Sequence, residues 1–144
     1  MLNIEMKNTH LVGLFLFLVA MGKSHADVIE LDNAALAKLQ SEGVAIIDVR
    51  RLDEWQETGL VEGSHPLTFF DAKGKYDAAA WIDKLNQIVK PDQPVVLICA
   101  RGVRSSKIAD LLDKRLGYSA VHNVTDGILS WLKDNKPVVA YTVK

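Results

Sequence analysis

The chain has 144 residues, 49% of them hydrophobic, with 17 lysines and arginines against 18 aspartates and glutamates. This length suffices for one domain with a sizeable core and leaves no room for a second. The formal net charge of −1 excludes a broadly basic nucleic-acid-binding protein and an acidic disordered tail. Because Cys99 is the single cysteine, an intramolecular disulfide framework and a zinc site built on several cysteines are also excluded.

Residues 1–26 have the features of a secretory signal peptide. An apolar run spans residues 11–21, whereas a membrane-spanning helix needs about 20 apolar residues. Lys7 precedes the run, and the small residues Ser24 and Ala26 stand three and one positions before the predicted cleavage site. We therefore expect a mature domain of residues 27–144 in the periplasm or outside the cell. An uncleaved N-terminal anchor is the alternative.

Short β-branched runs alternate with amphipathic stretches along the rest of the chain. The predicted strands are residues 28–31 at a sheet edge, 44–49, 95–99 and 120–124. The predicted helices are residues 34–42, 78–89, 105–116 and 128–135. Residues 71–75 read as a polar loop. This alternation predicts an open α/β sheet covered by helices.

Cys99 ends the most hydrophobic predicted strand, and open α/β sheets bind ligands at that end of their strands. The residues that follow it are Ala100, Arg101, Gly102, Val103, Arg104 and Ser105. A glycine-containing loop can turn its N–H groups inward around an anion, and a helix that starts near Ser105 as N-cap adds partial positive charge. Arg101 and Arg104 add full charges. These features predict a nucleophilic thiolate and an anionic substrate; the alternative is a buried strand cysteine that acts as a small hydrophobe.

The length of this loop separates two chemistries. Cysteine phosphatases carry a cysteine, five further residues and then an arginine, whereas here Arg104 is already the fifth residue after Cys99. The loop is therefore one residue too short for a phosphatase, which remains the less favoured alternative. A smaller loop suits one extra sulfur atom on Cys99 with an anionic leaving group outside.

Four ordered motifs resemble those of single-domain rhodaneses of the thiosulfate sulfurtransferase family, and in particular the small periplasmic rhodaneses of bacteria. The motifs are Ile47-Asp48-Val49-Arg50 with Glu54-Trp55, residues 59–64 (GLVEGS), residues 99–105 (CARGVRS), and Leu116-Gly117-Tyr118 followed by residues 124–131 (VTDGILSW). The sequence departs from the family at Leu60, Glu62 and Asp126, where histidine, proline and glycine are usual. All three positions lie outside the active-site loop.

The resemblance implies a three-layer α/β/α fold with a central, mostly parallel sheet of about five short strands. It also implies a thiosulfate sulfurtransferase that works in two steps through a Cys99 persulfide. Thiosulfate or a similar donor supplies the sulfur, and cyanide or a thiol accepts it. Main-chain N–H groups of the loop would cradle the persulfide sulfur, and Arg101 and Arg104 would bind the donor. The loop residues assigned to substrate binding are Ala100, Arg101, Gly102, Val103, Arg104 and Ser105.

Asp48 and Arg50 end the neighbouring strand and are either supporting residues of the site or a structural ion pair. We expect no cofactor and no metal, a monomer, no nucleic-acid partner and no stable membrane association after cleavage. A carrier that holds a persulfide, or a module that binds a sulfur anion without turnover, is the alternative to an enzyme.

Overall fold

The computed structural model describes residues 27–143, so the predicted signal peptide lies outside the described residues. The elements in chain order are β1 (Ile29–Leu31), α1 (Asn33–Ser41), β2 (Ala45–Asp48), α2 (Leu52–Thr58), β3 (His65–Pro66), α3 (Ala78–Ile88), β4 (Val95–Ile98), α4 (Val103–Leu116), β5 (Val121–Val124) and α5 (Gly127–Lys133). None of these helices is both long enough and apolar enough to cross a membrane.

The five strands form one all-parallel sheet in the order β1-β5-β4-β2-β3. β1 lies at one edge, as predicted, and β4 lies in the centre with all four residues buried. Helices α3 and α4 pack on one face of the sheet, and α1 and α5 pack on the other. This arrangement confirms the expected rhodanese-like α/β/α fold.

The central strand explains why its sequence is apolar without interruption. Successive side chains of a strand point to opposite faces of a sheet, so both faces of β4 need apolar residues when both are covered. Val95 and Leu97 pack in one core cluster with residues of α3 and α4. Val96 and Ile98 pack in a second cluster that contains Leu36 of α1. The two clusters hold the end of β4, and so the position of Cys99, from both sides.

Sequence reasoning misplaced some element boundaries and missed two elements. α2 and β3 were not among the predicted helices and strands. β4 ends at Ile98, one residue before Cys99. α4 begins at Val103 rather than near Ser105, and its N-cap is Gly102 in the left-handed region with φ +83°. The prediction of Ser105 as the N-cap is therefore wrong.

Candidate active site

Cys99 lies directly beyond the carboxyl end of β4 and is 1% exposed. The first turn of α5 holds the backbone on either side of it. The N–H of Ile128 donates to the Cys99 carbonyl at 2.9 Å, and the N–H of Leu129 donates to the Ala100 carbonyl at 3.1 Å. The loop is thus fixed by main-chain hydrogen bonds, which do not depend on the side chains of loop residues.

Three polar hydrogens converge on the sulfur of Cys99. The N–H of Gly102 donates to Sγ at 3.1 Å, and the N–H of Ser105 approaches Sγ at 3.5 Å. The hydroxyl of Ser105 also donates to Sγ, at 3.2 Å, from a fully buried side chain. Donors fixed in this way stabilise a negative charge on the sulfur, which is the form that acts as a nucleophile.

Two glycines let the loop pack closely against the turn between β5 and α5. A Cβ on Gly102 would lie 1.9 Å from the Thr125 carbonyl oxygen, and Gly102 has φ +83°. A Cβ on Gly127, which has φ +62°, would lie 2.3 Å from the Ala100 carbonyl oxygen. Both positions therefore require glycine for contact as well as for backbone conformation.

The structure shows how each of the three residues that depart from the rhodanese motifs is accommodated. Asp126 has φ −106°, a conformation that any residue adopts, so its motif position does not require glycine here. Leu60 is buried and pairs with Val139 through two backbone hydrogen bonds of 2.9 and 2.8 Å. Glu62 is exposed, and its carbonyl accepts a hydrogen bond from the side chain of Gln40 at 2.8 Å.

Arg104 is held by a bidentate ion pair with Glu54 of α2. Its Nη1 and Nη2 donate to the two carboxylate oxygens at 2.9 and 2.6 Å. The hydrogen bonds from Arg104, together with the N–H of Arg51, lower the pKa of Glu54 from 4.5 to about 2. The same carboxylate raises the pKa of Arg104. Glu54 therefore orients the arginine that sequence reasoning assigned to the donor.

Glu54 is the residue of this site that sequence reasoning did not identify. In the sequence it belongs to the first rhodanese motif, and its partner Arg104 lies 50 residues further along the chain. One available signal was the absence of a carboxylate near Arg101 and Arg104 in the sequence. A partly buried arginine needs a carboxylate, and that carboxylate had to come from another element.

Asp48 and Arg50 pair with each other rather than with the active-site loop. Arg50 Nη2 lies 2.7 Å from Asp48 Oδ2, and the two side chains are 1% and 0% exposed. Arg50 also donates to the Thr58 hydroxyl at 2.7 Å and to the Gly59 carbonyl at 2.9 Å. Trp55 Nε1 donates to Asp48 at 3.1 Å. This pair therefore fastens α2, and with it Glu54, to the end of β2.

The other predicted loop residues form the wall of a small cavity of about 200 Å³ above Cys99. Its lining residues are Cys99, Ala100, Arg101, Val103 and Arg104. Gly102 and Ser105 lie beneath the cavity and contact the sulfur instead. The structure therefore brings the predicted loop residues together, either in contact with the sulfur of Cys99 or in the wall of the cavity next to it.

Neither histidine of residues 27–143 forms a hydrogen bond with Cys99. His65 is exposed on β3, and His122 Nδ1 lies 3.2 Å from the Val95 carbonyl oxygen. Within residues 27–143, no group of three or more histidine, cysteine, aspartate or glutamate side chains is placed to hold a metal ion.

Comparison with known proteins places this geometry among related chains. Residues 32–134 match the family described as the rhodanese-like domain. Thiosulfate sulfurtransferase 18 of Arabidopsis thaliana is 25% identical over 116 residues, which cover 78% of this chain and 84% of that protein. A tRNA uridine(34) hydroxylase of Rickettsia rickettsii is 26% identical over 98 residues, which cover 68% of this chain but 37% of that protein.

Among solved structures, a rhodanese-related protein of Thermoplasma volcanium superposes with a TM-score of 0.59 at 25% identity. The match covers 78% of this chain and 99% of that one. These likenesses confirm the resemblance carried by the four sequence motifs. They support sulfur transfer as the general class of chemistry.

Proposed function

The chain belongs to the rhodanese-like domain family, and we propose that it is a thiosulfate sulfurtransferase that works through a persulfide on Cys99. The observation that carries the proposal is the set of three donors on Cys99 Sγ beside a small cavity that Arg101 and Arg104 help to line. A sulfur so placed can hold negative charge, accept one more sulfur atom and face an anionic donor.

In the first step, the Cys99 thiolate attacks the outer sulfur of thiosulfate. A bond forms between the two sulfur atoms, and the S–S bond of the donor breaks with its electron pair going to sulfite. Arg101 and Arg104 line the cavity in which sulfite departs, so their charges stabilise the anion as it forms. The products are sulfite and the Cys99 persulfide.

In the second step, cyanide or a thiolate attacks the outer sulfur of the persulfide. The bond to Cys99 breaks, and its electron pair returns to Sγ as a thiolate. The N–H and hydroxyl donors of Gly102 and Ser105 then stabilise this leaving group. The same three donors serve the nucleophile of the first step and the leaving group of the second.

The mass of the intact protein after treatment with thiosulfate tests this proposal. We expect a gain of one sulfur atom, followed by release of thiocyanate and loss of that mass when cyanide is added. Cys99→Ser is the matched control and should show neither. An adduct that cyanide does not remove would support a persulfide carrier, whereas no adduct together with hydrolysis of an aryl phosphate would overturn sulfur transfer.

The same measurement addresses the predicted processing. The periplasmic location and cleavage after Ala26 stay predictions, because the segment concerned lies outside the described residues. The mass of the protein isolated from the periplasm of an expressing bacterium would place its N-terminus at Asp27 if the prediction is correct.

A further inference from the structure

Three adjoining cavities lead from Cys99 along one side of α4. The inner cavity of about 200 Å³ contains Cys99 and Arg104, and a middle cavity of about 390 Å³ shares Arg104 with it. An outer cavity of about 490 Å³ shares Phe70 and Lys107 with the middle one. Neighbouring cavities therefore have lining residues in common, and we call the surface that the three form together the α4 groove.

The outer part of the α4 groove has an aromatic wall opposite a helical wall. The ring of Tyr76 lies 5.0 Å from that of Phe69 and 5.3 Å from that of Phe70, yet Tyr76 is 60% exposed. The helical wall consists of Lys107, Ile108, Leu111 and Arg115. Lys107, Leu111 and Arg115 are spaced by four and therefore lie on one face of α4.

The outer cavity carries two cations, and the carboxylate that lines the neighbouring middle cavity is that of Asp71. Among the residues that the structure describes, no carboxylate lines the outer cavity, and neither Lys107 nor Arg115 takes part in an ion pair. By contrast, Arg104 at the inner end is matched by Glu54. Two cations outside the ion pairs of the described residues, beside the exposed ring of Tyr76 and the half-buried ring of Phe70, suit a ligand that is both anionic and apolar.

We propose that the α4 groove docks an acidic, partly apolar peptide segment of a partner protein, whose cysteine accepts the sulfur from Cys99. The inference rests on the proposed function. The inner cavity alone is large enough for cyanide or a small thiol, so such acceptors would leave the two outer cavities unused. The transfer is balanced: the partner's thiolate takes the outer sulfur, and the Cys99 thiolate leaves.

The length of the α4 groove indicates how many residues of the partner's peptide segment it can hold. At about 1.5 Å per residue of helix, Arg115 lies about 16 Å beyond Arg104. An extended peptide covers that distance with about five residues. The acceptor cysteine should therefore be followed or preceded by about five residues in which acidic and apolar side chains alternate.

Synthetic peptides test the docking site in single-turnover transfer from the thiosulfate-loaded protein. The acidic probe has one cysteine followed by alternating leucines and glutamates over five residues, and the control probe has glutamines for the glutamates. We expect the acidic probe to react at least tenfold faster below saturation, with the advantage falling as salt rises. Equal rates for the two probes would overturn the docking site.

Variants of the outer cavity locate the effect. Arg115→Glu and Tyr76→Ser should each reduce the advantage of the acidic probe to below threefold while leaving transfer to cyanide within twofold of the parent. Lys84→Glu is the matched control, because this exposed lysine of α3 lines none of the three cavities and should change neither rate. A full advantage in Arg115→Glu would contradict the proposal.

A binding measurement separates failure of this inference from failure of the proposed function. Fluorescence anisotropy of the labelled probes with Cys99→Ser involves no sulfur chemistry. Tighter binding of the acidic probe would support the docking site even if no persulfide forms. Equal binding of both probes, together with normal turnover of thiosulfate and cyanide, would overturn the docking site and leave the sulfurtransferase standing.

Discussion

Ser105 shows how much a single residue contributes to this site. Its backbone N–H and its hydroxyl both point at Cys99 Sγ, and its side chain is completely buried. A hydroxyl at this depth has no water to compensate for a lost partner, so its orientation toward the sulfur is fixed. Ser105 thus contacts the sulfur of Cys99, a role different from that of a helix N-cap.

Ser105→Ala should slow sulfur transfer while leaving the fold intact. The substitution removes one of the three donors that stabilise charge on Sγ, so we expect kcat with thiosulfate and cyanide to fall about tenfold, equivalent to ~1.4 kcal/mol. Ser106→Ala is the matched control, because the Ser106 side chain makes no hydrogen bond to Cys99. Equal rates in the two variants would show that the hydroxyl has no catalytic part.

Arg104→Ala should lower kcat/KM for thiosulfate about 100-fold, or ~2.7 kcal/mol, because it removes a bidentate cation from the cavity wall. It should also destabilise the protein, since Glu54 would lose its partner. The double variant Glu54→Gln with Arg104→Ala separates the two effects. Stability should recover in the double variant and activity should not; recovery of activity would refute the donor-binding role.

Glu54 makes the stability of the fold sensitive to acid. Its pKa in the folded state is about 2 rather than 4.5, so the ionised carboxylate stabilises the fold fully above about pH 4.5. That stabilisation disappears as the pH falls toward 2. Glu54→Gln should therefore cost about 1–3 kcal/mol of unfolding free energy at pH 6 and much less at pH 2.5. Urea denaturation at both pH values measures this, and an equal difference at both would argue against the ion pair.

At the scale of elements, the site depends on how tightly the Cys99 loop packs against the start of α5. The Gly127 backbone approaches Ala100 so closely that no side chain fits between them. The hydrogen bonds from Ile128 and Leu129 depend on that approach. The β5–α5 turn therefore helps to position Cys99, although none of its side chains forms a hydrogen bond with the sulfur.

Gly127→Ala should displace the loop and reduce both stability and activity. We expect a loss of more than ~2 kcal/mol in unfolding free energy, because the new Cβ meets backbone atoms that cannot rotate away. Gly74→Ala is the matched control: it also has positive φ, at +75°, but its Cβ would meet nothing within 4 Å, so about 1 kcal/mol is expected. Similar losses in both variants would contradict the close packing.

A helix or strand could be predicted from the sequence where its own residues show a clear pattern of apolar side chains. β2 and β4 could be predicted because burial on both faces demands an unbroken apolar run. α2 could not, because its seven residues present only one buried side chain, Trp55. β3 could not either, because it consists of the exposed pair His65–Pro66.

The residues of the site could likewise be predicted only where they lie close together in the sequence. The Cys99 loop is contiguous in sequence, so its residues could be assigned before the fold was known. The Glu54–Arg104 pair joins two elements that only the folded sheet brings together. The role of Ser105 depended on the helix starting earlier than its sequence pattern indicated.

At the scale of the whole molecule, the segment after α5 closes the fold over α2. Val139 pairs with Leu60, and the Pro137 carbonyl accepts a hydrogen bond from Trp131 Nε1 at 2.9 Å. The ring of Tyr141 lies 5.4 Å from that of Trp55. Pro137, Val139 and Tyr141 lie beyond residues 32–134, the part that matches the rhodanese-like family. They nevertheless contact Trp55 and Trp131, two buried tryptophans of the core, or the residues beside them.

Removal of residues 137–144 should therefore lower the unfolding free energy by about 2–4 kcal/mol, through lost apolar burial and lost hydrogen bonds. Tryptophan fluorescence should shift to longer wavelength as Trp55 and Trp131 become more exposed to water. Val139→Pro tests the pairing alone, because it removes the N–H that donates to Leu60. An unchanged urea midpoint in the truncated chain would show that the segment does not stabilise the domain.

The main-chain anchoring of the active-site loop has a consequence for the adaptability of the protein. The shape of the loop rests on N–H groups of Ile128 and Leu129 and on two glycines, whereas Ala100, Arg101 and Val103 contribute side chains to the cavity wall. Substitutions at these three positions can therefore alter the size and charge of the cavity without changing the backbone conformation of the loop around Cys99. The loop offers a scaffold on which donor preference can be redesigned, or can diverge by mutation, one wall residue at a time.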